Sequence, residues 1–169
     1  ARLDNLLMSF CSLQAFIDEF SNGDNHSSQV SMLVLFDHEE VGSLSAQGAD
    51  SSLLSRTIDR IVGKFFIGEE QDCFQSVIQQ SIARSLLISA DCAHSVHPNY
   101  AESHEESHRP VMNGGVVLKV NANQRYATNG HSGALIKQLA SKHSVPLQEF
   151  CVKNDSGCGT TIGPIISGN

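Results

Sequence analysis

Two apolar runs that stop at carboxylates constrain this chain more than any other feature. Residues 32–36 lead into Asp37, Glu39 and Glu40, and residues 85–90 lead into Asp91. Each run has the length and composition of a short buried strand. In open α/β sheets, ligands bind beyond the carboxyl ends of the strands, which is where these acids would fall. Neighbouring residues of an extended backbone point opposite ways. Glu39 and Glu40 can therefore do different jobs, one holding a metal while the other faces the water that the metal activates. The plainer alternative is a solvated, charged loop after a strand, and the local residues leave both open.

Helical periods separate the apolar runs. Leu6, Leu7, Phe10, Leu13, Ile17 and Phe20 recur at helical spacing. Asp4 stands just before them, as an N-cap or as a ligand held at a helix start. The two roles are compatible, because a carboxylate has two oxygens. Residues 21–29 are polar and read as a loop, and residues 44–49 are small and suit backbone packed close to a site. Helices are expected over 51–66, with Leu54, Ile58, Ile61, Val62 and Phe65 inward, and over 69–84, with Phe74, Val77, Ile78 and Ile82 inward. Gly114-Gly115 precedes a strand at 116–120 that contains Lys119. A lysine there either points to water from an edge strand or supplies a positive pocket for an anionic substrate group. A short strand at 124–128, a helix at 131–143 with Leu135, Ile136 and Leu139 inward, and a strand at 149–152 complete the pattern. Strands alternating with helices give an α/β sandwich.

His94 lies three residues after Asp91 and is the better site candidate among the histidines. His104 and His108 stand among Glu102, Glu105 and Glu106 and read as a solvated loop. None of these spacings is the His-Glu-x-x-His of a helical zinc site, and the glycine-rich segment 154–164 lacks the Gly-Lys-Ser/Thr of a phosphate loop. A net charge of −7 argues against nucleic acid as a partner. No apolar run approaches the roughly 18 residues of a membrane span, and no signal peptide opens the chain. The five cysteines are odd in number and include no Cys-x-x-Cys. Reduced, mostly buried thiols in a cytoplasmic protein are expected. The chain opens at Ala1 and closes at Asn169 just after an apolar run, so both ends read as cut. Asp4, Glu39, Glu40 and Asp91 all fall at element ends and suit a two-metal hydrolase. The residues alone go no further than that.

Several longer motifs carry a resemblance. They are Arg2-Leu3-Asp4-Asn5; Phe36-Asp37-His38-Glu39-Glu40-Val41-Gly42-Ser43; Ser89-Ala90-Asp91-Cys92-Ala93-His94-Ser95-Val96-His97-Pro98-Asn99-Tyr100; Asn123-Gln124-Arg125-Tyr126-Ala127; and Cys158-Gly159-Thr160-Thr161-Ile162-Gly163-Pro164. In this order, and covering essentially all 169 residues, the chain resembles the aspartyl aminopeptidase family. Its wording around His38 and 121–128 is similar to that of the plant members. The resemblance implies a three-layer α/β/α sandwich with a mixed, largely parallel sheet, incomplete at both ends. Residues 1–169 would be part of the metallopeptidase catalytic domain.

It also implies a dinuclear zinc site in which Asp4 bridges both ions and Glu40 and Asp91 each bind one. Glu39 would be the general base. His94 and Lys119 would contact substrate, Lys119 through a charge-assisted pair with its acidic side chain. The implied reaction removes an N-terminal Asp or Glu from a peptide. The family's two zinc-binding histidines match no residue of this chain, and the inserted domain that helps build its large tetrahedral homo-oligomer has no counterpart here. The wording also departs at Asn129-Gly130-His131-Ser132-Gly133 and at Ile166-Ser167-Gly168-Asn169. A second class of reading therefore stays open: a non-catalytic remnant or interaction module without the histidine ligands.

Overall fold

Gly115 marks the start of the sheet. Its φ of +107° is a conformation that L side chains rarely adopt. A Cβ there would also lie 2.3 Å from the Pro146 carbonyl oxygen. That close approach lets the Val116 N–H donate to the same carbonyl at 3.0 Å and sets the first rung of a parallel pair. The computed structural model describes residues 2–21, 29–65 and 71–168, with backbone only for 71–73. Strand β1 (Val116–Val120) runs parallel to β2 (Leu147–Cys151), and the register places Lys119 beside Phe150. Helix α4 (Gly130–Lys142) makes the crossover that a parallel pair requires. It begins at a capping box: the Asn129 side chain accepts from the His131 and Ser132 N–H groups at 3.0 Å each, and the Ser132 hydroxyl accepts from the Asn129 N–H at 2.9 Å.

Chain packing divides into two units, residues 1–8 with 91–168 and residues 9–90. In the first, alternation sorts the pair of strands into two faces. Val117, Lys119 and Phe150 share one face with the buried core of Tyr126, Phe150 and Val152, against which Cys158 also packs. Leu118, Val120 and Glu149 share the other face with Gly133 and Ala134 of α4, around an open cavity of about 340 Å³. The far edge of β2 is taken by residues 103–108. Glu105 N–H donates to the Cys151 carbonyl at 3.0 Å, Lys153 N–H to the Ser103 carbonyl at 3.1 Å, and His104 bridges Val152. A 3₁₀ turn, Pro98–Ser103, leads into this segment, and helix α5 (Ile162–Gly168) closes the unit.

Helix α1 (Leu3–Ser21) starts in the first unit and continues into the second, with non-helical backbone at Asp4 and Asn5. In the second unit α2 (Leu53–Gly63) packs on α3 (Gln71–Ala83), where Phe74 lies against Gly63 and Ile78 is buried.

The α/β class and all four helical periods stand. The expected polar loop at 21–29 and the start of the helix expected at 69 fall largely outside the described residues. Three expected strands do not form. Residues 32–36 and 85–90 carry no ladder, because a strand needs a neighbour to satisfy its backbone and none pairs with them among the described residues. Residues 124–128 do not pair either. Asn121 folds a turn there, its carbonyl accepting from the Gln124 N–H at 3.2 Å and its side chain from the Asn123 N–H at 2.9 Å. Several expected inward residues are open to solvent, including Phe65 at 82% and Ile82 at 57% exposure. On α4 the buried stripe is Gly133 and Ala140, with Leu135 and Leu139 exposed. The helix is apolar over more than one stripe, and only the stripe on the sheet is covered.

Candidate active site

The strand lysine has a partner. Lys119 Nζ donates to Asp91 Oδ2 at 2.5 Å and to the Cys92 carbonyl at 2.7 Å, and stands 5.4 Å from the centre of the Tyr126 ring. The side chains are only 15% and 25% exposed, so this ion pair is mostly withdrawn from water. Lys119 reaches it because the register puts its side chain on the core face beside Phe150, not toward water. Asp4 belongs to the same neighbourhood. Cys92 Sγ lies 3.5 Å from the Leu3 carbonyl. Burial pushes the Cys92 thiol up, and the charges of Asp4 and Asp91 push it further. Burial likewise pushes the Tyr126 phenol well up, helped by its hydrogen bond with Cys158 at 3.2 Å, so the ring beside Lys119 stays neutral.

His94 stands on the surface of the same unit, its ring packed edge to face on Phe150 with centroids 5.1 Å apart. Its Nδ1 lies 3.1 Å from the Ser95 carbonyl oxygen. His104, expected in a solvated loop, is instead 3% exposed. Its backbone bridges Val152 at the edge of β2, and that pairing carries the side chain inward despite its acidic neighbours. His108 does stay at the surface, where its ring pairs with Glu105 and approaches Glu149 at 3.9 Å.

Glu39 and Glu40 belong to the second unit and sit in a tied turn, not at a strand end. Positive φ at His38, Gly42 and Ser43 (61°, 103° and 62°) folds the chain back on itself. Ser43 is 2% exposed; its N–H donates to the His38 carbonyl at 2.9 Å and its carbonyl accepts from the Asp50 N–H at 3.1 Å. Gly42 N–H donates to the Glu39 carbonyl at 3.0 Å. Gly48 is required here, since a Cβ would lie 2.1 Å from the Ser43 carbonyl oxygen. Glu39 is half-buried and Glu40 exposed.

The structure thus brings Asp4, Asp91, His94 and Lys119 into one unit and places Glu39 and Glu40 in the other. Among the described residues, no group of three or more His, Cys, Asp or Glu side chains is arranged to hold a metal ion. One oxygen of Asp91 is engaged by Lys119, and carboxylate oxygens alone suit magnesium or calcium better than zinc. The described residues do not by themselves build a zinc centre.

The family signature of the aminopeptidase I zinc metalloproteases (M18) matches residues 1–169. The chain belongs to this family. Among relatives of this M18 chain, the probable aspartyl aminopeptidase of Ricinus communis is 52% identical, over 98% of this chain and 33% of the relative. The crystal structure of prApe1 superposes with a TM-score of 0.86 at 33% identity, over 99% of this chain and 34% of that one. The mApe1 dodecamer of Saccharomyces cerevisiae superposes with a TM-score of 0.78 at 31% identity, over 99% and 35%. The chain spans about a third of the length of the curated relatives it matches.

Sequence reasoning missed His104 and the Tyr126–Cys158 pair as neighbours of the site. Tyr126 and Cys158 are 32 positions apart, and no local period joins them. The four cysteines whose side chains are described are free thiols, three half-buried and Cys11 exposed, rather than mostly buried. No helix among the described residues is long and apolar enough to cross a membrane.

Proposed function

We propose that this chain is part of the catalytic domain of a cytoplasmic zinc aminopeptidase that removes N-terminal Asp or Glu from peptides. The observation that carries the reading is Lys119: a cation withdrawn from water in a strand interior, paired with Asp91 at the end of an apolar run. Were the charge of Asp91 drawn to a metal ion, this desolvated ammonium group would need another anion, and it would then favour an acidic substrate side chain over a neutral one. His94 lies within the same unit as a second substrate contact. Glu39 is the general base, accepting a proton from the attacking water. Asp4, Glu40 and Asp91 are the oxygen ligands this chain contributes to a pair of zinc ions, the histidine ligands coming from outside it. Completion of the sheet would give the three-layer α/β/α sandwich, and the assembled protein would be a large tetrahedral homo-oligomer.

The test uses the complete protein, with zinc measured per subunit and rates taken on aspartyl and alanyl peptides. Glu39→Gln keeps size and polarity but removes the proton acceptor, so zinc should stay while kcat falls on the order of 10²–10⁴-fold. Glu40→Gln should lose zinc, and excess zinc should restore part of its activity. A loss of zinc in Glu39→Gln but not in Glu40→Gln would reverse the assignment.

A non-catalytic interaction module is the second reading. The apolar residues Leu6, Phe10 and Ile17 of α1, exposed at 64%, 65% and 46%, favour it. Equal inactivity on both peptides in every preparation of the complete protein would select it.

A further inference from the structure

His94, His104 and Phe150 form a closed triangle of rings. The centroid separations are 5.4 Å for His94–His104, 5.1 Å for His94–Phe150 and 5.3 Å for His104–Phe150, with interplanar angles of 76°, 86° and 88°. Every pair is therefore edge to face, the arrangement that aromatic quadrupoles favour. Two members are buried, Phe150 at 2% and His104 at 3% exposure, while His94 reaches the surface. Neither ring nitrogen of His104 makes a well-formed hydrogen bond among the described residues, and the Tyr100 backbone is its one polar influence of that kind. A buried imidazole so weakly bonded offers its neighbours little as a polar group. What it offers its neighbours is a flat ring, kept neutral because burial pushes its proton affinity down and the neighbouring His94 and Arg109 add to the effect.

We propose that His104 is a positioning residue for His94. Together with Phe150 it fixes the plane of the His94 imidazole. The Ser95 carbonyl then selects the tautomer: a carbonyl only accepts, so Nδ1 carries the proton and Nε2 is the nitrogen presented to a ligand. The same core also orients Lys119. Phe150 packs on Tyr126 at 6.0 Å, and the Tyr126 ring lies under the Lys119 ammonium. The His104 ring thus acts on recognition of an acidic substrate, through the geometry of a group that contacts it. This inference rests on the function proposed above for His94.

The experiment compares His104→Leu with His104→Phe in the complete protein. Leucine fills the space without a flat ring; phenylalanine keeps a neutral ring without nitrogens. In His104→Leu, KM for an aspartyl peptide should rise about 10- to 100-fold, the scale of a reacting or binding group displaced by about an ångström. KM for an alanyl peptide should stay within about twofold. His104→Phe should bring the aspartyl KM back to within about threefold of wild type. A purely structural role would lower the active fraction for both peptides and leave both KM values alone, which would overturn the proposal. Loss of the aspartyl KM in His104→Phe would overturn it too, because the nitrogens would then matter. If His104→Leu does not fold, His104→Met takes its place as the ringless variant, with the same KM pattern expected and the same results overturning the proposal. Should the wild-type protein show no preference for the aspartyl peptide, the proposed function fails. The positioning claim is then judged on a crystal structure of the better-folded variant. The His94 ring must hold its plane in His104→Phe or lose it in His104→Leu, and the opposite result refutes it.

Discussion

Replacing Lys119 by Met removes one charge from a nearly dry pair while keeping most of the stem that packs in the core. Lys119 and Asp91 are 15% and 25% exposed and their atoms are 2.5 Å apart. Breaking a fully buried pair by deleting one partner costs about 3–5 kcal/mol, because the other charge is stranded. The remaining solvent access places this case at the low end, about 3 kcal/mol. The cation over Tyr126 contributes about 0.5–1 kcal/mol of that loss. Each kcal/mol moves Tm by about 2–4 °C in a domain of about 150–250 residues and by less in a larger one, so a fall of at most about 6–12 °C is expected. The assay is thermal unfolding of the complete protein with a chelator present, so that no ion competes for Asp91. Asp91→Asn and the double variant are measured alongside, and the double variant should lose at least about 2 kcal/mol less than the two single losses combined. Lys119→Arg, which keeps the charge, should recover part of the loss. A Lys119→Met change below about 0.5 kcal/mol, the level of an exposed pair, would refute the reasoning.

The loop and the helix cap give further expectations. Gly48→Ala should cost about 1–3 kcal/mol by thermal melting, since the new methyl would meet the Ser43 carbonyl and loosen the turn that carries Glu39 and Glu40. Asn129→Ala should cost about 1 kcal/mol through loss of the α4 cap, with Asn129→Ser nearly neutral. The pH dependence follows from His104, whose pKa lies below its ordinary 6.5 in the fold. A depressed folded pKa means that the unfolded chain binds the proton more readily. This contribution to stability is therefore complete above pH 6.5 and is lost as pH falls through the lower, folded value. His104→Phe should flatten the fall in Tm below pH 6.5, read by melts across a pH series.

Periodicity was enough for the helices, because a helix satisfies its own backbone and needs only its own residues. It was enough for β1 and β2, whose partner lies a short crossover away. It failed for 32–36 and 85–90, since a strand is a property of a pair and apolar content says nothing of where the neighbour comes from. Lys119 was legible as an anomaly, but its partner was not: Asp91 is 28 positions away, and only the register brings the two together. His104 was hidden by Glu102, Glu105 and Glu106. Its depth is set by backbone pairing at the edge of β2, which side-chain chemistry does not encode. Glu39 and Glu40 were found as a pair, but the extended geometry expected for them gave way to a turn enforced by three positive φ angles.

That turn has a consequence for affinity. Ser43 is sealed between His38 and Asp50, Gly48 presses on its carbonyl, and His38 Nδ1 meets Ser45 Oγ at 2.6 Å. The backbone carrying both glutamates is therefore ordered when the chain folds, not when a ligand arrives. Ordering a loop residue costs about 1–2 kcal/mol of conformational entropy, and here that cost falls on folding stability instead of on the dissociation constant. A looser loop with the same two carboxylates would meet a cation or a peptide with identical contacts, yet hold it more weakly and release it sooner.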